Sequence, residues 1–166
     1  LLSCMLSVAL SGYLEQLVMP YIGNNIILTY IFAFIEEISK MAIFFLFVFD
    51  NKYYDDMYDG LVYMMLIALS FAGLENVMYA FSESTIQKSI SLSIMRDITT
   101  IPLHVICGII IGYFLSLSSF SKNKERKYIN ILLALLLSAA LHGTFNSLMN
   151  LLGSLNINYD SSVQVI

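Results

Sequence analysis

Charge is what this chain has least of. Asp, Glu, Lys and Arg make up 12% of its 166 residues, about half the share of an ordinary soluble domain. Tryptophan is missing, and only two prolines, Pro20 and Pro102, stand in the way of long helices. Two cysteines, Cys4 and Cys107, are too few for a disulfide scaffold or a structural zinc site, and their apolar surroundings mark them as small packing residues. Eight Lys and Arg stand against 12 Asp and Glu, a net charge of −4 that collects in loops, so nucleic acid is excluded as a partner. A soluble helical bundle is excluded too, because stretches such as residues 129–141 leave no polar face for water.

What is present instead is apolar length. Hydrophobic residues reach 58% and mean hydropathy is +0.78, which places the chain in the membrane class. Apolar runs of roughly 20 residues, bounded by turn or charged residues, predict an all-α, polytopic transmembrane helix bundle with about five membrane-spanning helices. They cover residues 1–19, 25–49, 60–80, 98–117 and 128–152. The fourth is expected to start with Thr99 or Thr100 as cap and Pro102 in its first turn, after a polar connection over residues 82–97. A single domain over residues 1–166 is expected, and a first residue of leucine suggests a fragment of a longer protein with further helices. Lys122, Lys124, Arg126 and Lys127 share one loop, which the positive-inside rule puts in the cytoplasm together with Lys52, leaving Lys88 and Arg96 outside.

Ionisable residues near the middle of a membrane helix each cost about 2.5 to 3.5 kcal/mol on insertion scales, so those present need a reason. Glu36, Glu37 and Lys40 lie together in the second span, where Lys40 can pair with one glutamate across a turn but not with both. Glu75 and Asn76 lie in the third. His104, Gly108 and Gly112 recur at four-residue spacing in the fourth, one histidine above a groove of small residues suited to close helix contact. Ser138, His142, Asn146 and Asn150 form a similar polar stripe on the fifth, pointing into the bundle. At about 1.5 Å per residue, Glu36, His142, His104 and Glu75 lie roughly 17, 15, 9 and 6 Å from the outer ends of their spans, all in the outer half or at the midplane. Carboxylates and histidines gathered at one depth are what water activation inside a membrane requires. The same residues would also suit an ion- or proton-coupled transporter, and a noncatalytic membrane scaffold or immunity protein is the blander alternative.

In this order the residues resemble the PrsW family of bacterial intramembrane proteases, related to the CAAX prenyl endopeptidase and bacteriocin-processing clan. Glu36-Glu37-Ile38-Ser39-Lys40 is similar to that family's paired-glutamate motif, and Asp59-Gly60 with Phe71 and Glu75-Asn76 to its second. Arg96, His104 and Gly108 are similar to the third, and His142 to Asn146 to the last. Lys40 stands where the wider clan often has arginine. The resemblance implies a multi-pass protein of the bacterial cytoplasmic membrane that cuts a membrane-anchored protein near the extracytoplasmic face, in the best known case an anti-sigma factor.

Two chemistries are open to these residues. In one, Glu36 or Glu37, helped by a histidine, takes a proton from water, the other glutamate pairs with Lys40, and Asn146 bonds the developing oxyanion. Glu75, His104 and His142 complete that site, with Lys40, Asn76 and Arg96 in support. In the other, Glu75, His104 and His142 hold a single zinc ion and Glu36 is the base. No HExxH motif is present to favour zinc.

Overall fold

The computed structural model describes residues 2–22 and 26–154, with side chains over 5–21 and 26–152. Five helices follow one another: α1 Leu2–Ile22, α2 Ile26–Phe47, α3 Met57–Ser82, α4 Ile86–Ser119 and α5 Lys124–Ser154. No strand occurs among the described residues, so the expected all-α bundle is what forms. Among these residues three helices, α3, α4 and α5, are long and apolar enough to cross a membrane, fewer than the five spans expected. α2 has the length, 22 residues, but its middle carries Glu36, Glu37 and Lys40.

The helix starts show how local chemistry punctuates the chain. Asp56 caps α3 by accepting from the Tyr58 amide at 2.9 Å, while Asp59 reaches back to accept from the Asp56 amide at 2.9 Å. The acidic loop thus spends two of its aspartates on satisfying helix donors. α4 begins far earlier than expected. Thr85 is its cap, Pro102 lies inside it, and His104 falls in mid-helix rather than in a first turn. Thr99 does not cap anything, since its hydroxyl donates to the Met95 carbonyl at 2.8 Å within the helix. The polar residues before it are helical because α3 pairs with them. Ser89 donates to the Ala80 carbonyl at 2.6 Å, and Asn76 donates to Asp97 at 2.7 Å.

Burial is inverted relative to a soluble protein. Leu66, Ile106 and Leu132 are about half exposed on the outside, at 54, 49 and 56%, whereas Glu37, Lys40 and His104 are 0% exposed inside. Apolar atoms facing outward and charges facing inward suit a hydrocarbon solvent. α3 and α4 meet without intervening side chains. A Cβ on Gly108 would lie 2.8 Å from Ala68 Cβ and 2.9 Å from the Met64 carbonyl oxygen, so the backbones touch through the groove that the four-residue spacing predicts. Towards the α4–α5 loop, Phe44, Met64, Ile111, Leu115 and Ala134 form a closed apolar floor. The polar residues lie above that floor.

Candidate active site

Four helices each deliver part of one polar cluster: Glu36, Glu37 and Lys40 from α2, Glu75 from α3, Arg96 and His104 from α4, and His142 from α5. Glu37 and Lys40 sit one turn apart, and Lys40 Nζ donates to Glu37 Oε1 at 2.6 Å. This assigns the partner of Lys40, which spacing left open. Lys40 Nζ also lies 2.9 Å from His104 Nδ1. An ammonium has only donors, so Nδ1 accepts, the ring proton sits on Nε2, and Nε2–H donates to Glu75 Oε2 at 3.1 Å. Arg96 completes this side with a guanidinium nitrogen 2.9 Å from the same Glu75 oxygen. Tyr79 covers the guanidinium face at 4.0 Å.

The second histidine is held in the same way. His142 Nδ1 lies 2.7 Å from Glu37 Oε1. The carboxylate can only accept, so Nδ1 carries a proton, and Nε2 is the nitrogen turned towards Glu36. Glu36 Oε2 is 3.8 Å from that nitrogen, and it is buried without a hydrogen-bond partner. The site therefore consists of two relays, Lys40–Glu37–His142 and Arg96–Glu75–His104, whose rings meet edge to face at 4.8 Å. Beside them stands one uncommitted carboxylate, Glu36. A fixed second-row carboxylate behind a histidine sets its tautomer and orientation.

The remaining expected residues fall less centrally. Asn76 is buried but bonds Asp97 and the Ser93 carbonyl, tying α3 to α4 rather than touching either histidine. Asn146 is half-buried one turn beyond His142, and Asn150 is exposed, so the stripe on α5 leaves the interior before its end. Ser138 bonds carbonyls of its own helix, at 2.7 and 3.1 Å, instead of forming a ladder between helices. The Cys107 thiol is buried and donates to the Ser138 carbonyl, as befits a packing residue, while Cys4 falls outside the described side chains.

Sequence reasoning missed Glu15. It is half-buried on α1, and its charge opposes those of Glu75 and Glu36. The signal was present as a lone carboxylate in the middle of an apolar helix, the criterion applied to the other four helices.

A cation fits the gap, though not with the expected donors. Glu36, His104 and His142 each offer an atom within 4.8 Å of the others. Glu75, placed in the metal set on sequence grounds, is instead engaged by Arg96 and His104. Tetrahedral zinc with bonds of about 2.0–2.1 Å holds its donors about 3.3 Å apart, close to the 3.8 Å between Glu36 and His142. Neither Glu36 Oε2 nor His142 Nε2 is held by another hydrogen bond among the described residues. His104 joins them only by giving up its contact with Lys40 or with Glu75, because both ring nitrogens are now in use.

A family described as "PrsW family intramembrane metalloprotease" matches residues 1–166. Proteins named Protease PrsW are similar to the chain in several organisms. The protein of Clostridioides difficile (strain 630) is 31% identical over 138 residues, 83% of this chain and 54% of that relative. Those of Oceanobacillus iheyensis and Bacillus subtilis (strain 168) are 32% and 29% identical, over 70% and 74% of this chain and 51% and 53% of theirs. The chain thus spans about half the length of these curated relatives. No solved structure matches it.

Proposed function

The chain belongs to the PrsW family of intramembrane metalloproteases, and from that premise we propose that it hydrolyses a membrane-anchored protein at the cluster around Glu36 and His142, near the extracytoplasmic side. One observation carries the mechanism. Glu36 Oε2 and His142 Nε2 face one another 3.8 Å apart, Glu36 Oε2 is without a hydrogen-bond partner, and with the His142 ring in its neutral form both are acceptors. Two acceptors so placed match the two hydrogens of one water, whose oxygen lone pair is then turned outward to the scissile carbonyl. Glu36 takes the proton as the water attacks, and returns it to the departing amine.

The rest of the cluster keeps this pair in its working state. Glu37 holds His142 so that Nε2 is the bare nitrogen, and Lys40 balances the Glu37 charge. Glu75, balanced by Arg96, fixes the other ring. Asn146, one turn beyond His142, is the proposed donor to the oxyanion, a role worth about 10² to 10³ in rate. A metal held by Glu36, His104 and His142 would polarise the same water and lower its pKa towards about 7. Substrate enters from the side on which Glu36 and Glu75 keep side-chain exposures of 10 and 15%, the largest in the cluster.

The deciding experiment is cleavage of a single-span substrate by the full-length protein and by separate alanine variants at Glu36, Glu37, Glu75, His104 and His142. Loss of cleavage at Glu36 and His142 is expected. Undiminished cleavage in all five variants would remove the reaction from this site, and a transporter or scaffold would show no cleavage that any of them alters.

A further inference from the structure

The end of the bundle away from the polar cluster holds a cavity of its own. Its volume is about 400 Å³, within the range of small-ligand sites, and it lies between the start of α3, the end of α4 and the first turns of α5. Its walls are divided by polarity. Ser121 and Arg126 stand at the loop end, whereas Leu117 and Ile129 lie one turn deeper along their helices, with Met57 and Phe120 completing the apolar side. Asn130 follows Arg126 by four residues, so both reach the cavity from one face of α5. Among the described residues no ion pair or hydrogen bond engages the Arg126 guanidinium or the Asn130 amide. The acids beside Met57 are already occupied, since Asp56 and Asp59 accept from the amides of Tyr58, Asp55 and Asp56. Asn123 likewise accepts from the amides of Glu125 and Arg126, so an anion here has side chains to meet rather than a bare helix start. Lys122, Lys124 and Lys127 flank Arg126 against Glu125 alone, in the loop that the positive-inside rule puts in the cytoplasm. Tyr58 and Tyr128, next in sequence to Met57 and Ile129, are 74 and 73% exposed, as tyrosines are at the headgroup layer of a membrane.

We propose that this cavity binds one anionic phospholipid, its phosphate held by Arg126 with Asn130 and Ser121 and the start of an acyl chain laid against Leu117 and Ile129. The polarity of the cavity matches that of the ligand, charge at the loop end and hydrocarbon towards the membrane. A guanidinium meets two phosphate oxygens at once, and basic pockets between helices at the cytoplasmic face are places where anionic headgroups bind. Free phosphate satisfies Arg126 but leaves the apolar wall facing water, and an apolar chain alone leaves Arg126 without an anion. A zwitterionic lipid brings its own cation into a loop that already holds four. Bound here, the lipid joins the ends of three helices that carry Glu75, His104 and His142 further along. The inference is independent of the reaction proposed above.

The test is native mass spectrometry of the full-length protein in nonionic detergent, titrated with dioleoyl phosphatidylglycerol or dioleoyl phosphatidylcholine, with glycerol phosphate as a competitor that lacks acyl chains. One phosphatidylglycerol should be retained about tenfold more tightly than phosphatidylcholine. Arg126→Gln should bring the two lipids within about twofold, and Asn130→Asp, which leaves Arg126 in place but adds an acid to the cavity, should do the same. The double variant Lys122→Gln, Lys124→Gln, outside the cavity, should keep most of the preference, because exposed charges are screened by salt. Ile129→Trp, at a position 55% exposed that accepts a larger ring, should weaken both lipids by filling the apolar end. Equal loss of preference in the Lys122, Lys124 double variant and in Arg126→Gln assigns the effect to general surface attraction and overturns the inference. Displacement by equimolar glycerol phosphate, or binding indifferent to Ile129→Trp, makes this a free-anion site and overturns it as well. Benzoylphenylalanine in place of Phe120 should crosslink to lipid; a crosslink to another segment of the full-length chain instead would show the cavity covered by protein and overturn the inference.

Discussion

Glu36 and Glu37 are neighbours in sequence and nearly equal in burial, yet neutralising them should have opposite consequences. Glu37→Gln removes the carboxylate bonded to Lys40 at 2.6 Å, and both side chains of that pair are 0% exposed. A lysine left charged and unpaired in a buried site costs about 3–5 kcal/mol. His142 loses its charged acceptor as well. Glu36→Gln breaks no lysine or arginine ion pair among the described residues, since the ion pair of Glu36 is with a histidine nitrogen 3.8 Å away. It relieves repulsion from Glu75 while giving up the attraction of Lys40, so the two changes offset. Its stability should lie within about 1 kcal/mol of wild type, while hydrolysis falls by about 10² to 10⁴, the range for loss of a general base. The two variants should therefore separate on a plot of unfolding free energy against rate. Equilibrium unfolding in mixed micelles of increasing SDS content gives one axis and single-turnover cleavage of a single-span substrate the other. Equal destabilisation by both substitutions, or a larger loss in Glu36→Gln, would refute the assignment of Glu37 to Lys40 and of Glu36 to the water.

Further outcomes follow from the same geometry. Arg96→Ala should lower kcat about 10- to 100-fold with little change in KM, because Glu75 loses the charge that steadies it behind His104, and Arg96→Lys should recover part of the loss. Gly108→Ala should cost about 1–3 kcal/mol by overpacking, since the new methyl would meet the α3 backbone at 2.9 Å. Gly73→Ala, with nothing within 4 Å of its added Cβ, should instead leave stability unchanged or raise it by about 0.5–1 kcal/mol in the same unfolding assay. If zinc is held as proposed, elemental analysis of the purified full-length protein should find about one ion per chain, lost in Glu36→Gln and His142→Ala and bound about 10- to 100-fold more weakly in Glu37→Gln. Full activity after chelation, with no metal bound, would remove the metal from the mechanism.

Much of this protein is legible along the chain. Apolar length marks the helices, and the inward face of α4 is visible from the four-residue recurrence of His104, Gly108 and Gly112, because both signals depend on near neighbours in sequence. The cost of charge in hydrocarbon singles out Glu36, Glu37, Lys40, Glu75, His104 and His142 without reference to any partner. Other features depend on what lies opposite. The start of α4 was misplaced because Ser89 and Asp97 look like loop residues until α3 supplies Ala80 and Asn76 to meet them. Membership of Lys40 with Glu37 rather than Glu36 depends on the rotation of α2 against α4 and α5, where His104 and His142 take up the remaining lone pairs and protons. The grouping of Glu36 rather than Glu75 with the two histidines is likewise set by how separate helices are turned and packed. Composition and spacing decided which side chains must be hidden from lipid; only the packed bundle decided which of them face one another, because a hydrogen bond needs donor and acceptor within about 3 Å and helical spacing constrains only residues on the same helix.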